Sequence, residues 1–218
     1  QAVHTPLCTT LKLRTRSLST VEHLLAALAG CGLSHVLLEV SGAEIPLLDG
    51  SSLDWVEAIL EAGLAPAQTP RLVPPLVEKP LIFNRGNSVI SATPSENLTL
   101  IGIIDFPYSA IGQQMLTIRL TPEIFVKEIA SARTFGFMDQ LEGLKKSGLI
   151  KGGNLNNALV CDFDDWINPP LRFKDEPVRH KLLDLIGDLA LVGLPKAQVL
   201  VYRGSHELHN DLASALLQ

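Results

Sequence analysis

The sequence predicts an α+β protein in two parts, for three reasons. Segments typical of strands and of helices alternate irregularly along the chain, which favours two α+β layers over a doubly wound parallel sheet. Apolar residues make up 46% of the 218 residues and charged residues only 19%, as in globular proteins. Five prolines between residues 64 and 80 suit neither a regular helix nor a central strand. We therefore expect a first domain over residues 1–70 and a second over residues 71–218.

The composition argues against several classes of function. The net charge of −5 is spread along the chain without a block of like charge, so we expect neither nucleic-acid binding nor a basic membrane-binding patch. No apolar run reaches about 18 residues and no secretion leader follows Gln1, so we expect a cytoplasmic protein without a transmembrane segment. The three cysteines are widely spaced, which argues against a disulfide framework and against a CxxC zinc module. A metal site would therefore use mainly histidines and carboxylates.

The first part of the chain is expected to form a helix, a strand and a second helix. Apolar residues recur at helical spacing over residues 21–30, where a Gly-Cys-Gly sequence ends the pattern. The sequence HVLLEV at residues 35–40 is apolar and partly β-branched, which predicts a buried strand. A second helix is expected over residues 52–62, before Gly63.

The second part contains most of the predicted sheet. Apolar stretches bounded by turn residues predict its strands, over residues 88–94, 98–106, 114–120, 158–162 and 199–204. Apolar residues at helical spacing predict its helices, over residues 123–129, 138–146, 176–193 and 207–217.

The clearest chemical motif lies in the helix predicted over residues 176–193. His180 and Asp184 are four residues apart, so their side chains project from one face about one turn apart and could bind a single metal ion. Asp188 extends the same stripe by another turn. A solvated helix face is the alternative, because this spacing is common by chance.

A second motif is Thr-Val-Glu-His at residues 20–23, at the start of the first helix. A glutamate directly before a histidine is typical of sites in which the histidine binds zinc and the carboxylate accepts a proton from the attacking water. The alternative is a capping box, in which Glu22 satisfies the backbone N–H of Ser19. A third motif is the Gly-Ser-His that ends at His206, where a strand end could direct the histidine into a cleft, although a structural or solvated histidine is the alternative.

Together these motifs fit one metal-dependent hydrolase site. Three protein ligands with an open fourth position for water are typical of catalytic zinc sites, and the candidates are His23, His180 and Asp184. Glu22 could then accept the proton of the water as general base. Attack on an amide also needs a donor for the oxyanion and an acid for the leaving amine, and the polar residues available are Thr134, Lys181 and His206. Asp188 could hold His206 in its protonated form.

Six segments occur in a specific order along nearly the whole chain: STVEHLLAALAG at 19–30, EIPLLDGSS at 44–52, ARTFGF at 132–137, GLIKGGNLNNALV at 148–160, RFKDEPVRHKLLDLIGDL at 172–189 and GSH at 204–206. With these segments the chain resembles the UDP-3-O-acyl-N-acetylglucosamine deacetylases, the zinc enzymes of lipid A biosynthesis. The resemblance implies hydrolysis of the N-acetyl amide of a UDP-linked acylated glucosamine. It also favours the catalytic interpretations of Glu22 and His206.

The resemblance assigns a role to each residue of the site. One zinc ion is the implied cofactor, with other divalent metals such as iron as alternatives, and its implied ligands are His23, His180 and Asp184. Glu22 is the implied general base, Thr134 the residue that helps to stabilise the oxyanion, and His206 the general acid, oriented by Asp188. Lys181 resembles the lysine that contacts the polar head of the substrate.

The resemblance also implies an insert, near residues 138–160, that forms an apolar passage for the acyl chain. The residues expected to line it are Phe135, Leu144, Leu149 and Ile150. Ordinary core packing is the alternative for the aliphatic residues among them.

The fold implied by the resemblance is a pair of similar α/β-layered domains packed face to face, with the active site between them. Family members begin with further strands and a glycine-rich loop that do not precede Gln1, so we expect the first domain to be incomplete at its N-terminus. We also expect a monomer. The alternative functions are a catalytically silent zinc-binding fragment, a part of a fusion with another lipid-pathway enzyme, and the same chemistry on another amide.

Overall fold

The first part of the chain consists of a small sheet and two helices in the computed structural model, which describes residues 2–5, 7–69, 73–150 and 152–217. The sheet is antiparallel, with the strand order β1-β2-β3. The elements are β1 Ala2–Thr5, β2 Cys8–Leu13, β3 Arg16–Ser19, α1 Glu22–Gly30 and α2 Leu53–Ala62. Both helices were predicted from the sequence, whereas the sheet was not.

The second part is built on a five-stranded mixed sheet of order β4-β5-β11-β6-β7, in which β11 and β6 are parallel. A further three-stranded sheet has the order β10-β9-β8. The strands are β4 Leu81–Arg85, β5 Ser88–Pro94, β6 Thr99–Asp105, β7 Gln113–Arg119, β8 Phe135–Phe137, β9 Leu159–Asp162, β10 Asp165–Trp166 and β11 Ala197–Tyr202. The helices are α3 Pro122–Ile124, which continues as a π-helical turn Phe125–Ile129, α4 Leu141–Lys146 after a 3₁₀ turn Met138–Gln140, α5 Glu176–Ala190 and α6 His206–Ala215.

These elements confirm the predicted α+β class and most of the predicted elements of the second part. The short strands β4, β8 and β10 were not predicted. The domain boundary predicted at residue 70 falls within residues 70–72, which lie outside the described residues, so the division into 1–70 and 71–218 stays a prediction. None of the described helices combines the length and the apolar character needed to cross a membrane.

Helix α5 is the central element, because it packs against the large sheet on one side and against α1 on the other. Its leucine side chains at positions 182, 183, 185 and 189 are fully buried, and each such burial contributes roughly 1.5–3 kcal/mol. Gly102 of β6 allows the close approach to the sheet, since a Cβ atom there would lie 2.8 Å from Leu182 Cδ2. Gly187 has the same function towards α1, where a Cβ atom would overlap the carbonyl oxygen of Glu22. The start of α1 is therefore held directly against α5.

The prediction of a buried strand at residues 35–40 is wrong. Residues 33–41 lie outside helices and strands, and Val36, Leu37 and Leu38 are 52%, 84% and 44% exposed. The composition of this segment favours a strand, but a strand also needs a neighbour to accept and donate its backbone hydrogen bonds. Among the described residues, the first bridge after α1 joins Ser19 to Glu44, beyond the predicted strand.

Candidate active site

Six buried polar residues lie together where α1 and α6 begin and where both approach α5. They come from the first turns of α1 and α6 and from α5, elements that are distant in sequence. They are Glu22, His23, His180, Asp184, Asp188 and His206, each no more than 8% exposed. Burial of so many ionisable groups is unfavourable unless each finds a partner. The structure thus brings together six of the residues that the sequence analysis named as candidates for the chemistry.

Two histidines converge on one carboxylate oxygen. His180 Nε2 lies 3.4 Å and His23 Nε2 lies 3.6 Å from Asp184 Oδ1. These separations are long for hydrogen bonds. They match the roughly 3.4 Å between neighbouring ligand atoms placed tetrahedrally at about 2.0–2.1 Å from an ion. The spacing therefore fits a shared metal ion better than direct hydrogen bonding.

The protonation of His180 also suits metal binding. Its Nδ1 lies 3.0 Å from the carbonyl oxygen of Ala132, which can only accept a hydrogen bond, so Nδ1 carries the proton. Burial lowers the pKa of His180 to about 3, against the opposing effect of Asp184, so the ring is neutral. Its Nε2 consequently presents a lone pair to the space shared with His23 and Asp184, as a metal ligand must.

Asp184 is the third member of this group, and it is ionised. Burial alone would raise its pKa, but Lys181 and the nearby histidines together hold the pKa of Asp184 well below its usual value. The Lys181 Nζ donates a hydrogen bond of 2.7 Å to Asp184 Oδ2 and leaves Oδ1 to the two imidazoles. The side chain of Lys181 is 24% exposed, so its ammonium borders both solvent and the group formed by His23, His180 and Asp184.

Glu22 faces the site and does not cap its own helix. Its Oε2 accepts a hydrogen bond of 3.0 Å from the backbone N–H of Thr9, on β2. The backbone N–H of Ser19, the donor in a capping box, donates instead to the carbonyl oxygen of Ala43 at 2.9 Å. The capping-box alternative is therefore wrong. Burial raises the pKa of Glu22, although His23 and His206 oppose the increase.

His206 and Asp188 form a buried ion pair opposite Glu22. The Ser205 side chain accepts a hydrogen bond from the backbone N–H of Leu208, which starts α6 and places His206 as its first residue. His206 Nδ1 lies 2.7 Å from Asp188 Oδ2. Burial by itself would lower the pKa of His206, but Asp188 raises it to about 9. His206 Nε2 is 4.0 Å from Glu22 Oε1, so a carboxylate and an imidazolium face the same space.

Comparison with known proteins decides the family. The whole chain, residues 1–218, matches the family model described as LpxC, UDP-3-O-acyl N-acetylglycosamine deacetylase. The chain belongs to this deacetylase family. Two relatives named UDP-3-O-acyl-N-acetylglucosamine deacetylase are similar: the protein of Thermosynechococcus vestitus is 49% identical over 98% of this chain and 74% of its own length, and that of Nostoc sp. is 51% identical over 91% and 72%. An Arabidopsis thaliana protein named probable UDP-3-O-acyl-N-acetylglucosamine deacetylase 1, mitochondrial, is 41% identical over 99% of this chain and 72% of its own length.

Two further residues of this deacetylase chain reach the site without having been predicted. Thr9 contacts both Glu22 and Asp188. His209, which is 1% exposed, directs Nδ1 to the same Asp188 Oδ2 that His206 binds, at 2.8 Å. His206 and His209 are three residues apart on α6, and this spacing could have indicated that they share a face. None of the motifs quoted from the sequence includes Thr9. It reaches the site through the position of β2 in the folded chain.

The remaining predicted residues are those that the family resemblance assigned to the oxyanion and to the acyl passage. The ring centroid of Phe135 is 6.3 Å from that of His180, so this side chain borders the candidate metal-ligand group of His23, His180 and Asp184. Thr134 precedes it, and its backbone N–H donates to Gly50 at 2.7 Å. Leu144, Leu149 and Ile150 are half-buried on α4 and the loop after it. Among the described residues they belong to none of the three hydrophobic core clusters, which does not favour the core alternative for them.

Proposed function

We propose that the protein is a zinc-dependent amidohydrolase that removes the N-acetyl group from UDP-3-O-acyl-N-acetylglucosamine and releases acetate, the committed step of lipid A biosynthesis. One observation carries the proposal. His23 and His180 converge on Asp184 directly beside Glu22, in a chain of a deacetylase family. That arrangement joins a metal-ligand group to a proton acceptor, which is what hydrolysis of an unactivated amide requires.

Zinc suits the donor set of His23, His180 and Asp184. Two imidazole nitrogens and one carboxylate oxygen are common ligands of catalytic zinc, with iron and other divalent ions as competitors for the same groups. When bound, zinc supplies Lewis acidity to the substrate carbonyl and to the attacking water. The protein contributes the fixed positions of the three ligands, since α1 and α5 are packed around Gly187.

Glu22 acts as general base in this proposal. Its Oε2 is occupied by the Thr9 N–H, so Oε1 is the oxygen available to accept the proton of the attacking water. The same Oε1 faces His206 Nε2 at 4.0 Å. A proton accepted by Glu22 is thus close to the group that must protonate the leaving nitrogen.

His206 acts as general acid. Because its pKa is about 9, the ring is protonated at neutral pH. Its Nδ1–H is held by Asp188, so Nε2–H is the proton that can be donated to the amine of the glucosamine as the C–N bond breaks. Acetate and the free amine are the products, and one water is consumed.

Substrate binding is assigned to residues around this centre. Thr134 is proposed to help stabilise the oxyanion. The ammonium of Lys181, next to the metal group and partly exposed, suits the polar head of a UDP-sugar. The apolar passage for the acyl chain would be lined by Phe135, Leu144, Leu149 and Ile150. A cytoplasmic location and a monomeric state, both predicted from the sequence, belong to the same proposal.

The purified chain tests the proposal when zinc stoichiometry and acetate release are measured together. We expect about one zinc per chain, acetate release from the acylated UDP-sugar, loss of release with a chelator and inhibition by a hydroxamate. Zinc retained without turnover would instead indicate a catalytically silent zinc-binding protein. Equal turnover of acylated and unacylated UDP-sugars would remove the apolar passage and indicate another amide substrate.

A further inference from the structure

We propose that Thr9 is a positioning residue that holds the general base and the partner of the general acid in one fixed arrangement. The proposal rests on the proposed function, because it concerns the roles of Glu22 and Asp188 in that reaction. Thr9 acts through the two carboxylates and through His206, whose Nδ1 lies 3.3 Å from the Thr9 hydroxyl.

All three polar groups of Thr9 bond to residues at the start of α1 or on α5. Its backbone N–H donates to Glu22 Oε2 at 3.0 Å, and its hydroxyl donates to Asp188 Oδ1 at 2.5 Å. Its carbonyl oxygen accepts from the backbone N–H of Val21, the residue before α1, at 3.4 Å. The residue is fully buried, so water cannot replace these bonds. One residue of β2 is thus bonded to both α1 and α5.

The hydroxyl of Thr9 completes the hydrogen bonding of Asp188. The Oδ2 atom of Asp188 receives both His206 Nδ1 and His209 Nδ1, at 2.7 and 2.8 Å. Its Oδ1 atom receives the Thr9 hydroxyl. Because the Thr9 hydroxyl is bonded to Oδ1, the carboxylate of Asp188 has one favoured rotation, in which Oδ2 alone accepts the hydrogen bonds of both histidines. Without that hydroxyl, Asp188 could turn so that each oxygen binds one histidine, and the His206 ring would no longer be held in one orientation.

The position of Thr9 on a strand makes the arrangement rigid. β2 is the central strand of its sheet and pairs with both β1 and β3. The adjacent Thr10 also has a buried side chain, but its hydroxyl donates to Ser19 Oγ at 3.0 Å and not to any residue of the site. Thr10 is therefore a matched control for the loss of a buried threonine hydroxyl from the same strand.

The test replaces the hydroxyl without changing the shape of the side chain. Thr9→Val removes the donor to Asp188 and keeps the backbone N–H to Glu22, Thr9→Ser restores the donor, and Thr10→Val is the control. We expect Thr9→Val to lower kcat roughly 10–100-fold, with KM, zinc content and the melting transition close to those of Thr10→Val. Thr9→Ser should recover most of kcat. A Thr9→Val enzyme with kcat within about twofold of Thr10→Val overturns the proposal.

A second measurement does not depend on activity. The Nδ1–H proton of His206 can be followed by NMR in the zinc-loaded protein with ¹⁵N-labelled histidine, and it is assigned by its loss in His206→Gln. We expect this resonance to shift or broaden in Thr9→Val and to return in Thr9→Ser. If the wild-type chain releases no acetate, the proposed function fails while this resonance still decides the role of Thr9; an unchanged resonance in Thr9→Val overturns it.

Discussion

The imidazole rings of His23 and His180 meet edge to face, with centroids 5.0 Å apart and planes at 87°. The two rings belong to α1 and α5, which are far apart in sequence. The contact exists because Gly187 allows the two helices to touch at Glu22. Assembly of the candidate site is thus a direct result of how these helices pack.

Asp184→Ala should reduce the zinc content of the purified protein, because it removes one of the three proposed ligands and leaves two buried histidines without their shared carboxylate. Metal analysis of the dialysed protein measures the effect. Asp54→Ala, at an exposed position of α2, is the control and should keep its zinc. A fully loaded and active Asp184→Ala protein would exclude Asp184 from the ligand set.

Glu22→Gln should keep zinc and lower kcat by about 10²–10⁴-fold, since the proposed ligands remain while the proposed proton acceptor is lost. Acetate release and metal analysis on the same sample separate the two effects. The control is Glu57→Gln, which changes an exposed glutamate of α2. Full turnover in Glu22→Gln would mean that another group accepts the proton.

Asp188→Asn should move the alkaline limb of the kcat/KM profile to lower pH. In the proposed mechanism His206 must be protonated to act as an acid. Asp188 raises the pKa of His206 to about 9, so the protonated form should persist up to that pH in the wild-type protein. Without the carboxylate the pKa of His206 falls, and the imidazolium is lost earlier as the pH rises. The control is Asp211→Asn. Asp211 lies on α6, as His206 does, but it is bonded to Arg85, so this variant should leave the alkaline limb in place. An unchanged limb in Asp188→Asn would assign it to another group.

Gly187→Ala should reduce the free energy of unfolding by about 1–3 kcal/mol, because its Cβ atom would overlap the backbone of Glu22 and separate α1 from α5. Urea denaturation measures this loss, and acetate release should fall with it. The control is Gly143→Ala, in which the added Cβ atom meets nothing within 4 Å. Alanine favours the helix α4 by up to about 1 kcal/mol, so this variant should not lose stability. Equal stability of the two variants would show that the helices can adjust at no cost.

The spacing of residues along α5 was sufficient to predict part of the site. His180, Asp184 and Asp188 recur every four residues on a strongly periodic helix, so their common face follows from helix geometry alone. Their association with His23 depends on contact between two helices, which no local pattern encodes, and the family resemblance supplied it. Spacing likewise left the capping box open for Glu22, and the bonds that Glu22 and Ser19 make in the folded chain decide against it.

Two other features show where local sequence is insufficient. The apolar composition of residues 35–40 predicted a strand, yet composition cannot supply the neighbouring strand that pairing requires. Thr9 lies outside every motif quoted from the sequence, and its proposed role follows from its bonds to Glu22 of α1 and Asp188 of α5. Such contacts between distant segments are set by tertiary packing.

The three proposed metal ligands are divided between α1 and α5, so an ion bound to them would join the two helices. An ion that binds only the assembled pair adds its binding free energy to the stability of the whole chain. Depletion of the ion would then loosen the packing around Gly187 as well as end the chemistry. Compounds that bind the ion-loaded protein should for the same reason raise its melting temperature, so thermal-shift screening could detect them without a substrate.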